Sequence, residues 1–335
     1  MSLVSLGDLA QSFTMRRQNT ALRTEINTIV QEVSSGRVAD LAKEVGGDFG
    51  PMTGIEHELA KLRTYDTSIT ESKLFVSGLQ DALEVIQAET QDFANAAIAA
   101  SETGNGALAD TSGSDAAQTF QTVVSAVNTS VGGRSVLAGT ATDGPALASA
   151  DEILDALATV ISGETTAAGV IAQVESWFSP TGAFSTAGYQ GSTTPLAPMP
   201  LGQGRTADLD FTALDERLVE TLKSTALGAL VDGRTPSLDP QEQLDLIRQS
   251  GLDLISAQSG LSTLRGDVGT VEATIEDARQ RNQTEKFGLE LARSEIVEID
   301  PYEHATRLET AQTQLEALYA MTARLSRLSL TDYLR

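Results

Sequence analysis

His57 and Glu58 open a His-Glu-Leu-Ala run that begins like the helix of a zinc protease. There, two histidines four residues apart hold the metal and the glutamate acts as base. The position four beyond His57 is Lys61, so the second ligand is missing and the motif fails. Cysteine is absent, which removes disulfides, thiolate metal sites and cysteine nucleophiles together. Two glycine runs, "GNGALA" (Gly104–Ala109) and "GQGRTA" (Gly202–Ala207), satisfy a loose dinucleotide pattern. One follows a helical stretch and the other a proline run, not a strand within a βαβ unit, so both read as turns. Neither a phosphate-loop Gly-Lys nor a Gly-x-Ser-x-Gly elbow occurs. The acidic pairs Asp151–Glu152 and Asp215–Glu216 lie in amphipathic segments and read as solvated faces. The expectation is no catalytic residue, no cofactor and no metal.

The elements around these residues are far more informative. From Ile55 a seven-residue pattern runs through Leu62, Ile69, Val76, Leu83, Thr90 and Ala97, with Tyr65, Ser72, Leu79, Ile86, Phe93 and Ala100 three residues on. This predicts one apolar seam on a helix of about 45 residues, roughly 65 Å long. A second seam starts near Leu244 and runs through Ile247, Leu254, Leu261, Val268, Ile275, Asn282, Leu289 and Ile296. Asn282 and Glu285 interrupt it, as register-fixing polar positions do. Pro301 breaks it, and a third helix follows with Leu308, Ala311, Leu315, Leu318, Thr322 and Leu325 inward. Near the other end Leu3, Leu6, Ala10 and Phe13 lead to Leu22, Ile26, Ile29 and Val33, until "SSGR" stops the run.

Between the arms the composition shifts. Residues 104–204 hold one basic residue, Arg134, and eight acidic ones, and Gly, Ser, Thr and Ala dominate. "SVLAG" (Ser135–Gly139) and "ADLDF" (Ala207–Phe211) predict strands, whereas "ADEILDALATVISG" and "LDERLVETLKSTALGAL" predict helices. The fold class expected is mainly α with a smaller α/β, β-rich insertion, on a long antiparallel helical rod of paired N- and C-terminal arms. The segments would be 1–45, an N-terminal assembly helix; 46–104 and 241–300, the two halves of the rod; 105–240, the insertion; and 301–335, a C-terminal assembly helix.

Net charge is −23, from 23 basic and 46 acidic residues, and such a field repels phosphate backbones. No nucleic-acid role is expected. No run reaches the length of a membrane span, and the start shows no signal-peptide pattern. The chain closes on "ARLSRLSLTDYLR" (Ala323–Arg335), an apolar stripe with little to cover it. An exposed stripe of this kind marks a partner surface.

Several segments, in order, resemble one family. "IVQEVSSGRVAD" (Ile29–Asp40) is similar to the Ser-Ser-Gly-Lys/Arg turn near the start of bacterial flagellins and their relatives, carried here by Ser34, Ser35, Gly36 and Arg37. "TYDTSITESKLFVSGLQDALEVIQ" (Thr64–Gln87) resembles the long helix that follows it. "NTSVGGRSVLAGTATDGPAL" (Asn128–Leu147) and "GYQGS" (Gly188–Ser192) look like segments of the family's middle part. "RSEIVEIDPYEHATRLETAQTQLEALYAMTARLSRLSL" (Arg293–Leu330) matches its closing pattern. "LAKEVGGDFGPMTGIEHELA" departs from the family's usual Asp-rich turn, and Ser68 stands where Asn commonly precedes Ile69. The resemblance implies an extracellular flagellar protein, exported unfolded without a cleaved signal peptide by the flagellar export apparatus with an export chaperone. Its other partners would be copies of itself in a helical ring, hook-associated protein 1 and flagellin. It makes Leu3, Leu6, Phe13, Leu325, Leu328, Leu330, Tyr333 and Leu334 assembly contacts.

Overall fold

The computed structural model describes residues 6–235 and 237–333; of residues 6–9 and 325–333 it describes the backbone alone. The described chain is mainly helical, with two small antiparallel hairpins. It divides into two compact units. One takes Met1–Lys61 with Thr284–Arg335, the other Leu62–Gln283.

In the first unit α1 (Leu6–Ser35) pairs with α9 (Pro301–Tyr333), and the short α2 (Leu41–Glu44) lies between α1 and the start of α3. Two long helices, α3 (Gly50–Glu102) and α8 (Pro240–Val297), contribute to both units. The starts of α8 and α9 share one device. Asp239 accepts from the backbone of Gln241 and Glu242, and Asp300 from that of Tyr302. The following Pro240 and Pro301 take the first helical position, where a missing N–H costs nothing.

The second unit is built on the predicted seams. On α3 Leu62, Ile69, Val76, Leu79, Leu83, Ile86, Phe93 and Ala97 are buried, and on α8 Ile247, Leu254, Leu261, Leu264, Val268 and Ile275 are buried. Within this unit the two helices run antiparallel. Arg265 on α8 accepts through its carbonyl from the Gln80 amide at 2.9 Å, and its guanidinium donates to Gln87 at 2.6 Å and Glu84 at 3.1 Å. Gly251 permits a close approach of the two helices, since a Cβ there would stand 3.1 Å from the Ala94 carbonyl oxygen. Against this pair pack α4 (Leu108–Val127) and α7 (Glu216–Ala229). A side chain on Gly228 would meet Ser250, Phe93 and Ala116. Beyond them α5 (Ala150–Ile161), α6 (Ala167–Phe178) and a π-helical turn (Phe184–Gly188) enclose Trp177, Phe178 and Phe184, with ring centres 4.8–5.7 Å apart.

Neither burst predicted as a strand becomes one. The hairpins are β1 (Ser130–Val131) with β2 (Arg134–Ser135), and β3 (Met199–Gly202) with β4 (Arg205–Ala207). "SVLAG" passes through β2 only at Ser135. Val136, Leu137 and Ala138 are all buried, and their backbone bonds go to Thr129, Ala213 and Ser192 in turn. Three partners from three directions satisfy a buried loop without a ladder. "ADLDF" leaves β4 after Ala207.

Asn282 is buried on α8, and its amide donates to the Leu201 carbonyl in β3 at 2.8 Å. The predicted seam break therefore anchors a hairpin to the helix. Glu285 is exposed.

Candidate functional site

The apolar pattern that ends the chain leads to the α1–α9 pair. The two helices run antiparallel: Thr322 Oγ1 lies 3.9 Å from Met15 Sδ, Arg23 donates to the Tyr319 hydroxyl at 2.6 and 3.2 Å, and His304 meets Glu32. The Arg23 guanidinium, with a bond from Asn19, holds the Tyr319 phenol below its ordinary pKa. A stripe of Met15, Leu22, Ile26 and Ile29 faces Leu308, Ala311, Leu315 and Leu318, yet only Ile29 and Ala311 of these are fully buried.

At the upper end of the pair the Ser34–Arg37 turn does structural work. Gly36 takes φ +70° and its N–H bonds the Glu32 carbonyl at 2.8 Å, the left-handed cap that only glycine adopts without strain. The chain then runs beside the start of α9. Val38 donates to the Val297 carbonyl, Ile299 donates to the Gly36 carbonyl, and Arg37 pairs with Glu298 in a β-bridge. Ser34 and Ser35 bond back to the carbonyls of Gln31 and Glu32.

Glu32 closes this joint, and the sequence patterns do not flag it. It is 8% exposed, accepts from the Ala39 N–H at 3.1 Å and lies 3.4 Å from His304 Nε2. His304 Nδ1 faces the Asp300 carbonyl at 3.1 Å. One histidine thus joins the end of α1 to the start of α9, whereas His57 is exposed on α3.

Of the predicted assembly contacts, Phe13 is 68% exposed. Leu3 and Leu334 lie outside the described residues, and so do the side chains of Leu6, Leu325, Leu328, Leu330 and Tyr333. Val30, Val33, Tyr302 and Met321 are also exposed on the same two helices. A half-buried helix pair of this kind is marginal in water by itself.

Several of the residues weighed for chemistry have structural roles. Glu152 forms a capping box with Ser149. Asp215 caps α7 and binds Arg217; burial opposes its charge, but the bonds from Arg217 hold its carboxyl below the usual range. The Gly104 and Gly204 runs form a helix–helix turn and the β3–β4 turn, with φ of +62° and +69°. Among the described residues no group of three or more His, Asp or Glu side chains can hold a metal ion, and no helix is long and apolar enough to cross a membrane.

Residues 253–334 match the family model of the bacterial flagellin C-terminal helical region. That span takes in most of α8 and all of the described α9. A protein of Vibrio parahaemolyticus described as a flagellar hook-associated protein has a solved structure similar to this one, with a TM-score of 0.41 and 16% identity over 70% of this chain and 94% of that chain. No curated protein matches the sequence.

Proposed function

We propose that this chain is a structural, non-enzymatic subunit of the bacterial flagellum, acting outside the cell as part of an axial assembly. The observation that carries the reading is the match of residues 253–334 to the flagellin C-terminal helical region. The surface that region presents supports it: α9 is paired with α1 along a stripe left half-buried, with Phe13 and Met321 exposed. Copies of the chain would complete that burial. Export occurs unfolded through the flagellar export apparatus with the help of a chaperone. A cysteine-free sequence suits such a route, since no stray disulfide can form on the way out.

Within the flagellum the reading is the junction ring between hook and filament, the place of hook-associated protein 3, with hook-associated protein 1 on one side and flagellin on the other. The segment "LSLTDYLR" (Leu328–Arg335) favours it, being similar to the Leu-x-Leu-x-Asp-Tyr/Phe-Leu close of junction proteins. A filament flagellin is the second reading, favoured by the family model itself. Copy number separates the two: tens of molecules per flagellum against thousands. An intracellular helical scaffold is the rival of another class, and recovery of the chain from sheared flagella rules it out.

The test is genetic. A deletion strain should keep its hooks and release unassembled flagellin into the medium. Leu328, Leu330 and Leu334 changed together to Ser should be exported yet reproduce that phenotype. Burying one leucine is worth roughly 1.5–3 kcal/mol, and the loss recurs at every subunit contact. Normal filaments on the triple variant overturn the tail as an assembly surface, and normal filaments on the deletion strain overturn the junction reading.

A further inference from the structure

The second unit carries an open groove of about 810 Å³ between α3 and α4, roofed at one end by Val131 of β1. Its floor is apolar, set by Leu74, Ala82 and Val85 of α3 and Ala126 of α4, and Leu74 and Val85 are 57% and 42% exposed. Gly78 belongs to the same wall, where any side chain would strike Val131. Along α3 the sequence from 74 to 85 places Leu74, Gly78, Asp81 and Val85 on one face, the spacing that receives a second helix. The rim is acidic. Asp81 lines the groove, and Glu71 and Glu89 are exposed one turn beyond Leu74 and Val85.

A segment with the complementary character lies on α1. Phe13 is the second most exposed phenylalanine of the described chain at 68%, and Arg16 and Arg17 flank it on the same exposed face. From Leu9 to Thr24 the sequence has three arginines and no carboxylate. The unit that bears the groove, Leu62–Gln283, has 29 carboxylates against 11 cationic side chains. Among the described residues no carboxylate pairs with Arg16 or Arg17.

We infer that the α3–α4 groove receives the Phe13–Arg17 face of α1 from a second copy of the chain, with Phe13 on the apolar floor and the arginines on the Asp81 rim. Groove and helix face are different surfaces, so the contact is heterologous. Such contacts repeat from copy to copy into a ring or a helix instead of closing a two-fold dimer. Two basic α1 faces brought together isologously would set like charges against each other. This inference rests on the proposed self-assembling role and names a contact within it.

The test uses the full chain with the photo-crosslinking residue p-benzoylphenylalanine at position 13, mixed with isotopically labelled chain so that links between copies are told from links within one. Irradiation should join position 13 of one copy to α3 or α4 peptides around residues 74–85 and 121–129 of another. The yield should fall as salt is raised. Asp81→Arg and Arg17→Asp should each weaken self-association about tenfold, and an Asp81→Arg chain mixed with an Arg17→Asp chain should recover most of it. Asp81 and Arg17 are exposed, so neither change should move the thermal unfolding of the second unit. Self-association with links only among α1 and α9 peptides, or a charge swap that restores nothing, overturns this contact and leaves the flagellar role standing. A chain that never self-associates overturns both.

Discussion

Asn282 offers the sharpest test of how α8 holds the β3–β4 hairpin. It is 6% exposed, and its amide reaches the carbonyl of Leu201, a residue with no exposed surface, at 2.8 Å. Asn282→Ala removes the donor and leaves a buried acceptor without its partner, a loss of about 1–3 kcal/mol. In a domain of about 150–250 residues this corresponds to roughly 2–4 °C of melting temperature per kcal/mol. Asn282→Asp is nearly isosteric and more revealing. At neutral pH it sets a carboxylate oxygen against the carbonyl oxygen in a buried place, so its loss should exceed that of the alanine variant. Its folded pKa must therefore stand above the unfolded value of about 3.9. A raised folded pKa makes the relative stability fully present below the unfolded pKa, where the protonated carboxyl can donate to Leu201, and lost as pH rises through the folded value. Thermal unfolding followed by circular dichroism at pH 4 and pH 7, always as the difference from the unchanged chain, cancels the titration of the other carboxylates. The gap should widen from pH 4 to pH 7. Equal melting temperatures at pH 7, or a gap that ignores pH, would refute the anchoring role.

Two further outcomes follow from the same contrast in burial. Leu79→Ala and Leu264→Ala, at positions 0% and 1% exposed, should each cost on the order of 2–5 kcal/mol in the isolated monomer, read by denaturant unfolding. An unchanged midpoint for both would mean that the α3 and α8 seams are not this unit's core. Limited proteolysis of the monomer should cut within α1 and α9 before it cuts the second unit, because few side chains of the pair are fully buried. Equal resistance of both would contradict the marginal stability assigned to the pair.

The long helices were legible because one period governs them from end to end. Leu62 to Ala97 on α3 and Ile247 to Ile275 on α8 repeat at seven residues, and burial follows the repeat. Helix α4 was harder to see for a compositional reason. "LADTSGSDAAQTFQTVVSAV" is rich in Ser, Thr, Gly and Asp, which favour caps and turns. Yet Ala109, Gly113, Ala116, Phe120, Val123 and Val127 are buried at alternating steps of four and three residues. The first part of this seam is made of small residues: α4 packs against α7, and a Cβ on Gly113 would stand 3.0 Å from the backbone of Val231 and Asp232, just past the end of α7. Helix α6 hides in the same way behind Ala and Gly, with Val170, Val174 and Trp177 as its buried face. "SVLAG" misled in the opposite direction. Three consecutive buried apolar residues look like a strand, but only tertiary bonds to Thr129, Ser192 and Ala213 decide that this stretch is a wedge.

The candidate surface was legible in part, and the division has a physical cause. A seam that is buried within one chain shows as sustained periodicity, and α3 and the first part of α8 have it. The pair of α1 and α9 is covered less evenly, with exposed Phe13, Val30, Val33, Tyr302 and Met321 beside a fully buried Ile29 and Ala311. The joint that fixes where the two helices meet left no periodic trace at all. Glu32 and His304 are single polar residues in helical text, and their meaning comes from pairing across 272 positions of sequence. What could be read was the turn beside them: Gly36 must follow Ser35 because the backbone there turns left-handed. The sequence thus marks the place where α1 stops, while the contacts that make this stop a junction with α9 exist only in the fold.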